Sequence, residues 1–426
     1  MNPLKICRTF YFGTWVISGF FIFLLNGSSS ASIGLNSARS VGMGGAYNAL
    51  ARGVEAHSWN PANLGLDYFQ NRWSVTLFNV GMLAFNDTYA KYHYDQYNGQ
   101  DITNEKQNIL DAIKGDAINL GVEAEIDLLC VAYRAFSFHI QALTSSRAAI
   151  AKALIELPLL GNTRDYNFTP LKGDGVFFWK VGYSGAFPLK IKWFRKATVG
   201  ATFNYLIGRN AAQVLQSSGN FDTAEFLRAA GDVKMRESTG GNGFSFDIGF
   251  SAVTKRAWYI SASVQNVVSH LGWKKDVYEY HHAFNLKNVN LDSLISAGSI
   301  DDFYETTTDT IDINYFSTRL PEIFRLGVAK RYHRTIVAID YEQGLRDLSG
   351  TSLMPKFAMG VENWPTNWFA WRSGLTVGGY VGYAVSAGIG VRMGRFYLNL
   401  GGSSIRAIWP GYARGFQLAL STRFSF

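Results

Sequence analysis

Hydrophobic and polar residues alternate with a period of two over most of the chain. At the C-terminus Phe416, Leu418, Leu420, Thr422, Phe424 and Phe426 share one parity, while Gln417, Ala419, Ser421, Arg423 and Ser425 share the other. A β-strand sends successive side chains to opposite faces, so this run predicts a strand with one greasy and one polar or small face. The preceding run repeats the arrangement, with Val381, Tyr383, Val385, Ala387, Ile389, Val391 and Met393 set against Gly382, Ala384, Ser386, Gly388, Gly390, Arg392 and Gly394. Similar runs at 197–207, 244–252, 258–264 and 357–361 lead to about 14 strands. Their spans are 72–82, 118–133, 135–145, 174–187, 196–214, 243–253, 257–268, 312–330, 333–343, 354–363, 368–379, 381–393, 395–404 and 412–426. Inside 118–133 the parity of Ile118, Leu120, Val122, Ala124 and Ile126 is not kept, which predicts a β-bulge near Asp127.

Short and long connections alternate. Short turns fall around Arg134, at 188–195, 254–257, 331–334 and 364–367 and around Gly394; longer links cover 83–117, 146–173, 215–242 and 269–311. Many runs approach ten residues, the length that crosses a bilayer when tilted. The pattern therefore predicts an all-β, antiparallel transmembrane barrel whose even strand count puts both ends of the chain on the short-turn, periplasmic side. Helix-like spacing marks four stretches of the long links, 108–114, 148–160, 224–230 and 291–296. Such helices either cover the rim or gather ligand at the mouth. Trp73, Trp179, Trp193, Trp258, Trp273, Trp364, Trp368 and Trp371 fall near strand ends, as in an interfacial aromatic belt; core aromatics are the other reading.

Ahead of the alternating region the chain reads as an export address. Lys5 and Arg8 precede an apolar stretch from Phe10 to Leu25, followed by small residues up to Ala31. This is the secretory signal pattern, with cleavage expected after Ala31; an uncleaved anchor is the alternative. No other run of 18 apolar residues occurs, so whatever crosses a membrane beyond the signal is expected to be a closed barrel.

Composition sharpens the picture. Of the 426 residues 17% are charged, 15% aromatic and 43 are Gly, with a net charge of +8; a soluble domain carries roughly 25% charge. Loss of Cys7 with the signal leaves only Cys130, which excludes a disulfide framework and reads as a small core hydrophobe. The seven His lack metal-ligand spacing, and His281-His282 lies in a polar link. Neither a GxSxG elbow nor a P-loop is present. Basic runs at 190–196, 255–256 and 330–334 mark turns, and no nucleic-acid motif accompanies them. We expect no enzyme activity, no cofactor, no metal site and no nucleic-acid partner.

The segment from Ser37 to Leu66 carries a family resemblance. It contains the small-residue run Gly42-Met43-Gly44-Gly45-Ala46 and the tripeptide Asn60-Pro61-Ala62. It resembles the N-terminal plug of the FadL-type outer-membrane transporters, a superfamily that also includes PorV-like barrels of type IX secretion. Members often carry acidic residues between these two elements; here only Glu55 does, which favours a less characterised branch. The resemblance divides the chain into a signal peptide (1–31), a plug or hatch (32–70) and an outer-membrane barrel (71–426). It gives Gly42, Gly44, Gly45, Asn60, Pro61 and Ala62 a plugging or gating role, or the plainer one of capping the barrel. It makes Phe416, Leu418, Leu420, Phe424 and Phe426 a C-terminal signal for the outer-membrane barrel assembly machinery of a Gram-negative cell. The function implied is passive transport of hydrophobic small molecules; the alternative is a non-transporting secretion shuttle or scaffold. The partners expected are outer-membrane lipid together with apolar small molecules or secretion-system proteins.

Overall fold

A computed structural model describes residues 34–67, 72–161, 164–169, 171–222, 227–289, 304–346 and 352–426. The signal-peptide stretch and the helix expected at 291–296 lie outside them. Fourteen antiparallel strands close into a barrel. They are β1 (Trp73–Thr76 and Asn79–Asn86), β2 (Ala117–Tyr133), β3 (Phe136–Ala151), β4 (Lys172–Leu189), β5 (Phe194–Asp222), β6 (Leu227–Ser238 and Gly240–Thr254) and β7 (Trp258–Lys275 and Tyr278–Val289). The circuit continues with β8 (Tyr304–Asp312, Phe316–Thr318 and Ile323–Tyr332), β9 (Thr335–Gly344), β10 (Lys356–Asn363), β11 (Phe369–Gly378), β12 (Gly382–Met393), β13 (Phe396–Ile405) and β14 (Gly415–Ser425). Closure comes from β1, which pairs with β2 on one side and β14 on the other. Closure leaves no unpaired wall edge, which is what lets strands stand in hydrocarbon.

Side-chain parity is as the alternation predicts. Phe416, Leu418 and Phe426 face outward and are exposed, whereas Ala419 and Ser421 are buried on the inner face. The expected bulge is present: the β2–β3 register shifts between Asp127 and Leu129, which turns Leu128 outward and keeps both Asp127 and Cys130 inside. A second interruption at Leu77 and Phe78 splits β1 and shifts its register against β14.

Three sequence expectations need correction. The links 215–242 and 269–311 are in large part strand. The upper part of β5 pairs with Leu227–Ser238, which pairs with Tyr278–Val289, which pairs with Tyr304–Asp312. β5 is 29 residues long, far more than the roughly nine to eleven that cross a bilayer, so this four-stranded flap stands beyond the wall. It escaped the periodicity because cross-strand polar pairs hold it: Arg236–Glu279 at 2.5 Å, Tyr280 donating to Glu237 at 2.6 Å, and His281 with Asp232. For the same reason the helix expected at 224–230 is strand from Leu227 onward. Finally, Trp273 is fully buried, donating Nε1–H to Thr318 at 2.9 Å, and half-buried Trp364 bonds Glu362 at 3.1 Å. Neither belongs to a belt, unlike exposed Trp73, Trp193, Trp258, Trp368 and Trp371.

Of the other expected helices, 108–114 appears as Lys106–Asp111 and 148–160 as Ala153–Leu160, with Ala148–Ala151 still strand. The two helices pack together over the start of β2 through Leu110, Ile113, Ile155 and Leu159.

The outer face yields a test. Leu400 is 51% exposed and sits between outward-facing Ile389 and Leu420 on the neighbouring strands. Leu400→Arg should cost about 2–4 kcal/mol if this position lies at the lipid midplane, read by denaturant refolding in lipid vesicles. A change within about 0.5 kcal/mol, as for an ordinary solvated position, would contradict the lipid-facing assignment.

Candidate functional site

Residues 34–67 lie inside the barrel and nearly all are buried. Ser37 caps the short helix α1 (Ala38–Gly42), its Oγ accepting from the Ser40 amide at 3.3 Å. Gly44 and Gly45 then take φ of 66° and 84° and reverse the chain, conformations that glycine adopts without the Cβ penalty. Two 3-10 stretches follow, Gly53–Ser58 and Pro61–Asp67.

A chain threaded through a bore buries backbone N–H groups that no neighbouring strand pairs, and each must find an acceptor. Wall carboxylates supply them. Glu125 on β2 accepts from the amides of Gly34 and Leu35 at 2.7 and 2.8 Å. Asp340 on β9 accepts from those of Tyr47 and Asn48 at 2.7 and 2.6 Å. Glu362 on β10 binds Arg39 of α1 through both oxygens at 2.6 Å and Arg372 on β11 at 2.7 Å. With Glu362 and Arg372 almost wholly buried, each ion is tolerable there only because it is paired. Tyr47 extends the network, donating to Glu55 at 2.7 Å and accepting from Arg39 at 3.2 Å.

The predicted residues separate by role. Asn60 is fully buried and its Nδ2 reaches the Phe250 and Ala262 carbonyls at 3.0 and 3.1 Å and Ser261 Oγ at 2.7 Å, tying together β6 and β7. Its Oδ1 accepts from the Ala62 amide at 2.9 Å across Pro61, the local turn expected of Asn before Pro. The Ala62 carbonyl accepts from Thr198 at 2.7 Å. Gly42 and Gly44 pack against the wall, whereas Gly45 faces open space and needs only its dihedral. The C-terminal residues Phe416, Leu418, Leu420, Phe424 and Phe426 are remote from this segment, on the outward parity of β14.

Sequence reasoning missed the wall's half of the contact. A Cβ on Gly374 would lie 2.2 Å from the Gly44 amide nitrogen, and one on Gly401 would lie 2.3 Å from the Ala38 carbonyl. Both replacements would push the segment off the wall. The signal was present as glycines at inward parity on β11 and β13, but nothing in a sequence says which backbone they meet. The carboxylates were likewise visible only as isolated acids at inward positions.

Cavities adjoin the segment above and below α1, and an outer vestibule lies beyond the upper one. Above α1, toward the long links, a cavity of about 80 Å³ is lined by Leu35, Val41, Leu83, Val381, Ala384 and Ile405, with Lys356 and Gln417 among its polar groups. Tyr380 lines both this cavity and an outer vestibule of about 550 Å³. Its hydroxyl donates to Glu123 at 2.9 Å, and its ring lies 4.6 Å from the Arg147 guanidinium. Below α1, at the short-turn end, a cavity of about 350 Å³ is lined mainly by polar and basic residues.

One group of potential metal ligands was not anticipated. His57, Asp127 and Cys130 are buried with donor atoms within 4.8 Å of one another. Asp127 already accepts from Gln141 at 2.6 Å and Asn79 at 3.0 Å, and the His57 ring stacks on His139 at 4.0 Å. The trio is thus part of a buried polar network between the inner segment and the wall.

Comparison with solved structures places the fold. A Pseudomonas aeruginosa FadL homologue aligns with a TM-score of 0.50 at 12% identity, covering 93% of this chain and 99% of that one. The deltaS2S3 mutant of the monoaromatic hydrocarbon channel TodX gives 0.51 at 13% identity over 91% and 98%. The Ralstonia pickettii toluene transporter TbuX gives 0.49 at 14% identity over 92% and 98%. The fold is a FadL-like barrel. No curated protein matches the chain. The profile of a family of unknown function, DUF5723, matches residues 68–401, and the chain belongs to that family.

Proposed function

We propose that the protein is an outer-membrane channel for passive entry of hydrophobic small molecules, held closed by its N-terminal segment acting as a plug. The observation that carries this reading is the small cavity above α1, whose aliphatic side chains are interspersed with polar ones, separated from the outer vestibule by Tyr380. A ligand would pass from the vestibule past Phe85 and Tyr380, settle against Leu83, Ala384 and Ile405, and leave when α1 moves. Binding sites of this kind are apolar with a few polar anchors; Gln417 and Lys356, the latter paired with Glu342, are the anchors here. The cavity has room for only a few water-sized groups, so passage requires displacement of Gly42 and Gly44 from β11 and β12, with the Gly45 turn carried along. Asn60, Pro61 and Ala62 are the fixed end about which that displacement occurs. FadL-like neighbours described as hydrocarbon channels support the substrate class. The apolar outer face and the fold support an outer-membrane location, reached by export and, through the aromatic C-terminal strand, the barrel assembly machinery.

A second reading rests on the tethers. Three wall carboxylates and the Asn60 contacts hold the plug along its length, which suits a permanently closed barrel that scaffolds or shuttles secreted proteins. Isolation from native membranes separates the two: a stoichiometric secretion partner supports the scaffold, and a bound apolar ligand supports the channel.

Purified protein in liposomes should bind or admit at least one of toluene and a long-chain fatty acid in a saturable way. Failure to bind any apolar compound would remove the transport role. The plug gives a separate expectation. Glu362→Gln leaves Arg39 and Arg372 sharing no carboxylate, a loss worth about 3–5 kcal/mol for a buried pair. Planar-bilayer recordings should then show ion conductance several-fold above the unmodified protein, with heat-modifiable gel mobility confirming that the barrel is intact. Unchanged conductance in a folded variant would mean that this clamp does not hold the plug.

A further inference from the structure

The cavity below α1 has a charge distribution that transport of neutral compounds does not require. Six guanidinium groups line it, those of Arg39, Arg331, Arg334, Arg372, Arg392 and Arg423. They come from α1, from the end of β8 and the turn after it, and from β11, β12 and β14, so separate parts of the fold converge on one space. Against them stand two carboxylates, Glu55 and Glu362, which pair with Arg423, Arg39 and Arg372. The balance leaves four positive charges in excess around about 350 Å³, with Arg331, Arg334 and Arg392 on exposed residues at its mouth and Arg372 buried at its inner end. Like charges gathered at one mouth make a positive field that draws anions toward the buried end of the cavity.

Among the described residues, several of these donors are also unspent. Arg372 is 3% exposed and gives its Nε–H to Glu362, but its Nη1 has no partner. A Cβ on Gly390 would sit 2.8 Å from that Nη1, so the glycine keeps room for the guanidinium. Arg423 Nε is likewise without a partner. Arg392 donates only to the Gly394 carbonyl, at 3.1 Å, and Arg331 forms no ion pair among the described residues. The Tyr397 ring braces two of these groups, with Arg423 at 4.6 Å and Arg392 at 5.4 Å from its centroid. Planar guanidinium groups with free N–H pairs match the two oxygens of a carboxylate or phosphate.

We propose that this cavity binds an oxyanion, a carboxylate or phosphate group, between the underside of α1 and the short turns. Arg372 provides the buried donor, and Arg331, Arg392 and Arg423 complete the site from the mouth. The site stands independently of the channel reading. Where both hold, it is where the acidic head of an amphipathic ligand is received after the plug.

Titration calorimetry on the full-length protein in detergent at low salt tests it, with sodium octanoate, inorganic phosphate and uncharged octanol as probes. At least one anion should bind saturably with a 1:1 stoichiometry, and affinity should fall at least tenfold in R331Q/R392Q. These residues take no part in the Arg39–Glu362–Arg372 clamp, and Arg423→Gln serves as a second variant if the first does not fold. Octanoate alone marks a carboxylate site, and binding of phosphate as well marks a general oxyanion or headgroup site. Octanol binding should be unchanged in the variants. The inference is overturned if neither anion binds, if the variants bind as well as the parent, or if chloride competes at equal affinity. Anion binding without uptake of any apolar compound would sink the channel and leave this site standing; uptake without anion binding would do the reverse.

Discussion

The structure depends on a hydrogen-bonding constraint. A polypeptide that enters a closed barrel leaves water behind without joining a sheet, so its amides and charges become orphans unless the wall answers them. Here the answer is ionic. Glu125 and Asp340 each take a pair of consecutive amides, and Glu362 takes the one arginine of α1 together with Arg372 of the wall. Charge-assisted bonds of this kind are short and strong, and each carboxylate would itself be costly if the segment left. Segment and wall therefore stabilise each other, and movement of one end requires that its carboxylate find a new partner.

Close approach is the second condition, and it divides the lumen. Gly374 and Gly401 on the wall let α1 and the Gly44 turn lie directly on the strands. With the helix seated there, the space above it is small and partly apolar and the space below it is larger and basic. The two faces of one five-residue helix thus look onto different chemistries: Val41 lines the upper cavity and Arg39 the lower.

Much of this was legible in the sequence. The apolar parity of β12 and β14 dictated which face meets lipid, and the broken parity before Leu128 located a real bulge. An Asn ahead of Pro is a residue type that pins a turn, and Asn60 does so, its Oδ1 accepting from the Ala62 amide. Elements held together by polar pairs across strands were not legible: Arg236 with Glu279 makes a strand without a hydrophobic stripe. Trp273 and Trp364 look like belt residues in one dimension, and only the fold shows that both point inward. The carboxylates that meet the inner segment are single acids at inward positions, and their meaning depends on a segment up to 323 positions away. The basic turn 330–334 reads as solvated charge in isolation and becomes part of a site only beside Arg372, Arg392 and Arg423.

Hydrogen–deuterium exchange of the native protein in detergent addresses the central claim most directly. If wall carboxylates hold the segment inside the barrel, the amides of Gly34, Leu35, Tyr47 and Asn48 should exchange as slowly as those of the wall strands, and the Tyr47 and Asn48 amides should lose that protection in Asp340→Asn. Exchange of these four amides within seconds, in a barrel whose strands remain protected, would contradict the account.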